Sequence, residues 1–484
     1  MKTYLFYDTE TSGLNPSFDQ ILTFAGIRTD TNFKEIDRYS ITIRLRKDIV
    51  PSPKAFITHG LSFNELSGGI DEYDAALKIH QIVNTADTIS FGYNSLNFDD
   101  EFLRFMFYRN LLDPYSHQYK DGCGRMDALP LTVIYRVFNP ECLKWPELNG
   151  KSSLKLDLIA SENAFITQGR AHEAMNDVEA LIELCKRLCS ADKDIWCYCL
   201  DFFNKSLDSQ RINNIQSNFT IANRAFKTGI MVSLPFGAKL NYLAPVIYIG
   251  QSIPYSNQSL WMRLDTKGSK EKDEKAAQKE KLDLSDLPII RKKFGDELFI
   301  LPPLERFKNK LSESSRQSAN ENLQKIRQDS ENFFEIIKSH LEYRYPDIPD
   351  IDPDAALYQE GFFSSREKMQ CSLFHQTENN RKYTVLDQLD NGRIKTLAGR
   401  ILYRNSLVPD EMPDQERVSP PNDNSVKGYK GDTKFSCGEG IEELDEIEKL
   451  SLNLSLNLNQ NQKNIVVELR EYIEKLRQQQ AALQ

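Results

Sequence analysis

The stretch YLFYDTETSGLNP, Tyr4 to Pro16, decides the reading of the N-terminal half of the chain. Its apolar run Tyr4 to Tyr7, bounded by Ser12-Gly13 and Asn15-Pro16, reads as a buried strand that ends in a turn. Side chains at i and i+2 of a strand share a face, so Asp8 and Glu10 stand side by side where the strand ends. Carboxylates that close repel and raise each other's pKa, which is costly unless a cation lies between them. A strand end reaching solvent, with both acids simply hydrated, is the competing reading of these residues alone.

Two later segments favour the cation. In FGYNSLNFDDEFLRFMF (91–107), Asn94 and Asp99 fall between a strand ending at Gly92 and a helix with apolar residues at 102, 103, 106 and 107. Asp99 or Asp100 stands at the start of that helix, where acids are preferred. In AHEAMNDVEAL (171–181), His172 precedes Asp177 by five residues, and Asp177 lies in the first turns of another helix. Four carboxylates and a histidine suit two-metal phosphodiester hydrolysis, in which two Mg²⁺ or Mn²⁺ ions about 4 Å apart stabilise the attacking and leaving oxygens. A histidine can take a proton from water near neutral pH. HEAMND is not the HExxH zinc motif, because its fifth residue is Asn176.

Around these motifs, residues 1 to about 190 alternate strand-like runs (4–8, 21–28, 39–45, 88–92) with helical patterns (71–84, 99–110, 152–164, 174–189), the signature of an α/β layer domain. In the last helix Ala174, Val178, Leu181, Ile182, Cys185 and Leu188 recur on one face. At 484 residues the chain has room for roughly three domains. From 195 to 345 short β-like pieces (GIMVSLP, PVIYIG, SLWMRLD) between Pro and Gly suggest a small barrel. Residues 266–283 read as a charged surface loop, and PDIPDIDPD (346–354) as a linker. Expected boundaries are therefore 1–192, 195–347 and 351–484, with a disordered stretch over about 405–460 before a terminal helix at 462–482.

Hydrophobic residues make up 40% of the chain, yet no apolar run approaches the roughly 20 residues that span a bilayer, so no membrane segment is expected. The N-terminus lacks the pattern of a signal peptide, which points to a cytoplasmic protein. The 8 cysteines include no pair of CxxC knuckles, so reduced thiols are expected in place of a structural zinc. A net charge of −9 argues against indiscriminate polyanion binding but leaves room for a local basic groove.

Taken in order, DTE, NSLNFD and HEAMND resemble the three motifs of the DEDDh class of 3′-to-5′ exonucleases, and FAGIRTD, GYNSLNFDDEFLRFMFYRNLLDPY and LYQEGFFS extend the resemblance over roughly residues 1–405 toward a bacterial, DNA-degrading branch of that class. The resemblance implies a ribonuclease-H-like α/β exonuclease domain, then an SH3-like β-barrel domain and a mainly helical C-terminal domain. It implies that Asp8, Glu10, Asp99 and Asp177 hold the metal pair and that His172 is the general base. It further implies that Glu10, Thr58, Arg104, Tyr115, Tyr119 and Lys155 meet the DNA, Lys155 standing where that branch has an Arg. Arg316 and Arg327, eleven residues apart on one helix face, match a pocket for the acidic C-terminal tail of single-stranded-DNA-binding protein. The expected activity is Mg²⁺-dependent release of 5′-mononucleotides from single-stranded DNA by a monomer, with a role in repair and recombination. The alternatives are an exoribonuclease with the same five residues and a non-catalytic DNA-binding adaptor. Departure from the pattern after Arg404 leaves the C-terminal boundary open.

Overall fold

The computed structural model describes residues 1–148, 150–165, 174–266, 284–405, 407, 426–453 and 455–483. Two compact units emerge, one built from 1–125, 166–182 and 347–484, the other from 126–165 and 183–346.

The first unit is built on the opening stretch. Strand β1 (Thr3–Thr11) pairs antiparallel with β2 (Ile21–Asp30), which pairs with β3 (Glu35–Thr42). On its other side β1 pairs parallel with β4 (Thr88–Gly92), and β5 (Gly124–Asp127) completes a mixed sheet of order β3-β2-β1-β4-β5. Leu5 and Tyr7 pack against Ile79 and Val83 and against Phe102, Leu103 and Met106. On the opposite face Tyr4 and Phe6 meet Phe33 and Phe91, the Phe6 and Phe91 rings stacking at 5.0 Å. Burial on both faces is why these positions form a continuous apolar run, each fully buried side chain contributing roughly 1.5–3 kcal/mol. The register slips between Glu10 and Thr11, a bulge just past the second acid.

The same unit contains the C-terminal helices. Ser365–Gln376 and Gly392–Arg404 share a core with Phe105 and Tyr108. Helices Cys437–Leu452 and Gln460–Leu483 pack against Leu22, Val50, Phe56 and Leu66. Buried charges also join the two ends of the chain: Arg404 pairs with Asp48 (3.1 Å) and Asp354 (2.5 Å), while Arg46 and Arg109 share Glu72.

The second unit carries a five-stranded antiparallel sheet, in spatial order Ile289–Lys293, Gln258–Arg263, Leu243–Gln251, Thr228–Val232 and Phe299–Leu301. Helices Glu313–Gln328 and Ser330–Glu342 cover one face, with Ile326, Phe333 and Ile337 against Ile247, Ile249, Leu260 and Met262. Fold class thus follows the expectation: a mixed α/β sheet, an antiparallel β sheet and a helical C-terminal region.

Several details differ. The helix expected over 152–164 occupies Leu156–Glu162, since Lys151–Ser152 is extended and pairs with Glu147–Leu148. Helices Lys193–Leu200 and Lys205–Asn214 precede the β-rich part. The expected disorder over 405–460 is corrected at Cys437–Leu452, a helix whose Ser436–Glu439 capping box satisfies its first amides and whose Leu444 and Ile447 are buried. Residues 406 and 408–425, like 267–283 of the charged loop, lie outside the described residues. Among the described helices none is long and apolar enough to cross a membrane.

Candidate active site

Asp8 and Glu10 leave β1 from one face, as a period of two requires. Asp177 reaches them from the first turn of helix Ala174–Ala191, which the ion pair between Arg38 of β3 and Glu179 (2.6 Å) fastens to the sheet. Together Asp8, Glu10 and Asp177 each offer one carboxylate oxygen, all within 4.8 Å of one another. Asp99 opens the helix Asp99–Arg109 and is only 4% exposed. It is held by β1 itself, accepting hydrogen bonds at Oδ1 from the Thr9 hydroxyl (2.6 Å) and the Thr9 amide (3.2 Å).

Electrostatics follow from this crowding. Burial first, then the charges of Asp99, Glu10 and Asp177, push the Asp8 carboxyl well above the usual carboxylate range. Burial, then Asp177 and Asp99, push Glu10 up to about 8. Asp99 is raised to about 6 by burial, although the Thr9 hydrogen bonds oppose the shift. Half-buried carboxylates that cannot all ionise together make a hard-oxygen donor set whose repulsion a divalent cation would relieve. The acidic group therefore fits a metal ion, and Asp99 stands beside it as a further carboxylate.

Other expected residues are placed as follows. His172 lies outside the described residues. Thr58 is exposed on the short helix Pro53–His59, its hydroxyl donating to the Lys54 carbonyl, and the segment is tied to the end of β1 by the Ser52 amide donating to the Ser12 carbonyl (2.8 Å). Tyr119 is 65% exposed, whereas Tyr115 is half-buried under the Arg104 guanidinium, 5.6 Å from its ring centre. Arg104 departs from the expected free phosphate clamp: it is buried and pairs with Asp100 (2.5 Å) and Glu101 (2.5 Å). In the second unit, Lys155 is exposed at the N-terminal cap of helix Leu156–Glu162. Arg316 and Arg327 both lie on helix Glu313–Gln328, Arg316 pairing with Glu313 (2.6 Å) and Arg327 stacking over Phe219 (4.2 Å).

Sequence reasoning missed Thr9, whose hydroxyl reads as an ordinary strand residue between two acids. It also missed the partners of Asp100: Arg104 stands at the helical i+4 spacing, whereas His117 and Arg125 share no local spacing with it.

Residues 5–185, which carry this sheet, the acids at the end of β1 and the third acid on the closing helix, match the family model described as Exonuclease. Over that segment the chain is similar to bacterial exodeoxyribonucleases I. It is 34% identical over 251 residues to exodeoxyribonuclease I of Buchnera aphidicola subsp. Acyrthosiphon pisum, covering 51% of this chain and 58% of that protein. With the Escherichia coli (strain K12) exodeoxyribonuclease I it shares 34% over 206 residues, 42% of this chain and 43% of that one. These matches span well under two thirds of the relatives' length. In fold the similarity is wider: a crystal structure of E. coli exonuclease I in complex with a dA16 oligonucleotide superposes with a TM-score of 0.77 over 98% of this chain and 100% of that one, at 23% identity.

Proposed function

We propose that the chain is a metal-dependent 3′-to-5′ exonuclease that degrades single-stranded DNA to 5′-mononucleotides. The observation that carries this reading is the convergence of Asp8, Glu10 and Asp177 from strand and helix onto one point, with Asp99 beside them. Exodeoxyribonuclease I relatives and the similarity to a fold seen with a bound oligonucleotide support the choice of DNA.

In this reading the four carboxylates hold a pair of Mg²⁺ ions, replaceable by Mn²⁺. Such ions, when bound, polarise the scissile phosphate and lower the pKa of water. Asp8 and Glu10 offer their oxygens from a strand packed on both faces, so the donors are fixed before substrate arrives. Thr9 keeps Asp99 ionised and aimed by donating to its Oδ1. His172 accepts a proton from the attacking water on an imidazole nitrogen. Thr58, Tyr115, Tyr119 and Lys155 are each assigned to contact with the DNA strand, aromatic rings stacking on bases and cations meeting phosphates. Arg316 and Arg327 receive the acidic tail of single-stranded-DNA-binding protein. The protein works as a monomer in DNA repair and recombination.

The test is Asp177→Ala on a 3′-labelled oligonucleotide. Loss of cleavage with an unchanged circular dichroism spectrum and melting profile is expected, because a half-buried acid is removed and no core volume is lost. Retained cleavage would overturn the metal assignment. His172→Ala is expected to lower kcat far more than DNA affinity.

A further inference from the structure

Next to Asp99 lies an acid that the reading above does not use. Asp100 is 1% exposed and is gripped from three directions. His117, from the turn Ser116–Gln118, brings its Nε2 within 3.0 Å of Oδ1, so that nitrogen carries the proton and donates. Arg125, at the start of β5, donates to Oδ2, and Arg104, one turn along the same helix, reaches Oδ2 at 2.5 Å. Arg104 also pairs with Glu101 and donates to the Tyr358 hydroxyl (3.1 Å), and that hydroxyl donates to Glu101 at 2.5 Å. Asp100 and Glu101 are balanced by the guanidinium groups of Arg104 and Arg125, so the first turn of helix Asp99–Arg109 is pinned from outside and its charge beyond Asp99 is compensated.

We infer that Asp100, held by His117, Arg104 and Arg125, is a positioning residue that fixes the backbone of Asp99 and so the geometry of the metal-binding carboxylates. The inference rests on the metal-site reading above. Asp99 is the one acid of the four that Thr9 restrains from the β1 side; Asp100 supplies the restraint from the helix side, one residue along the same backbone. A carboxylate held on both sides keeps its orientation when the ions are absent. Pairing Asp100 with two guanidinium groups also limits the repulsion it adds to Asp99. The buried Arg104 thereby acquires a role different from that of a phosphate clamp.

Asp100→Asn, which keeps the shape and loses the charge, and the pair His117→Phe and His117→Gln test this in the full chain. Gln can place an amide donor toward the same carboxylate oxygen; Phe cannot. Readouts are Mn²⁺ affinity by electron paramagnetic resonance without DNA, kcat and KM on a 3′-labelled oligonucleotide, and oligonucleotide affinity in EDTA. Asp100→Asn and His117→Phe are expected to lose about 10- to 100-fold in Mn²⁺ affinity and in kcat, with KM and EDTA affinity within about threefold of wild type, and His117→Gln to recover most of the loss. Should Asp100→Asn fail to fold, the His117 pair decides. Unchanged Mn²⁺ affinity and kcat, with only the melting temperature lowered, would overturn the inference and leave Asp100 a purely stabilising charge. A wild type that binds Mn²⁺ but cuts no DNA would overturn the nuclease reading, while a variant's loss of Mn²⁺ affinity would still support the positioning role. A wild type that binds no Mn²⁺ would overturn both.

Discussion

Replacing Thr9 by Val isolates one hydrogen bond at the centre of the site. Valine keeps the β-branched shape and the backbone amide that donates to Asp99 at 3.2 Å, and removes only the hydroxyl that donates at 2.6 Å. Asp99 is 4% exposed, so water is poorly placed to substitute. A hydrogen bond to a charged group is worth roughly 1.5–3 kcal/mol. At 1.36 kcal/mol per factor of ten, kcat should fall about 10- to 100-fold if the ionised Asp99 is needed in the transition state. The sign of the pH effect is also fixed. Thr9 lowers an Asp99 pKa that burial raises to about 6, so its removal moves that pKa higher and the acid limb of the rate profile with it. Thr9→Val should therefore lose more activity at pH 6 than at pH 8, and Thr9→Ser, which restores the hydroxyl, should regain most of it. The assay is single-turnover cleavage of a 3′-labelled oligonucleotide across that range. A Thr9→Val enzyme within about twofold of wild type at every pH would refute the reasoning.

Three further outcomes are expected. Glu10 holds a proton up to about pH 8 in the folded chain against an ordinary value of 4.5, so between those values the native state binds the extra proton and loses stability as pH rises; in EDTA the wild type should lose stability relative to Glu10→Gln from pH 5 to 8, and a constant difference would contradict this. For the same reason the melting-temperature increase on adding Mg²⁺ should be larger at pH 8 than at pH 6. Arg404→Met removes one guanidinium from Asp48, which Arg46 still holds, and from Asp354, which Arg400 still holds, and should cost about 1–3 kcal/mol in urea denaturation; no measurable loss would show that Arg404 contributes little. Leu469→Ala, at a fully buried position of helix Gln460–Leu483, should cost about 2–5 kcal/mol, and no change would mean that this helix does not share the core of the first unit.

What was legible in the sequence was local. The run Tyr4 to Tyr7 is apolar because both faces of β1 are covered, and the acids at i and i+2 follow directly. The helices opened by Asp99 and Ala174 carry clear apolar faces, so an acid could be set on each from pattern alone beside the two of the strand, and the structure brings Asp8, Glu10 and Asp177 of these four together. What was not legible depends on contacts between distant positions. Nothing near Asp100 announces that His117 and Arg125 converge on it, and Arg104 on a helix surface pattern looks like a free cation until Tyr358 and Glu101 are placed around it. Helix Cys437–Leu452 was hidden by the preceding Pro- and Asp-rich text. Its own signals, the Ser436–Glu439 capping box and apolar residues at 441, 444 and 447, are short, and their apolar face gains meaning only against Val50 and Phe56 from the other end of the chain.

The most direct measurement offers the full chain 3′- and 5′-labelled single-stranded DNA, the matching duplex and an RNA of the same sequence, each with Mg²⁺ or EDTA. The account predicts Mg²⁺-dependent release of mononucleotides from the 3′ end of single-stranded DNA, with RNA untouched and EDTA abolishing the reaction. Preferential digestion of RNA would overturn the substrate, and cleavage undiminished in EDTA would contradict the metal-dependent site itself.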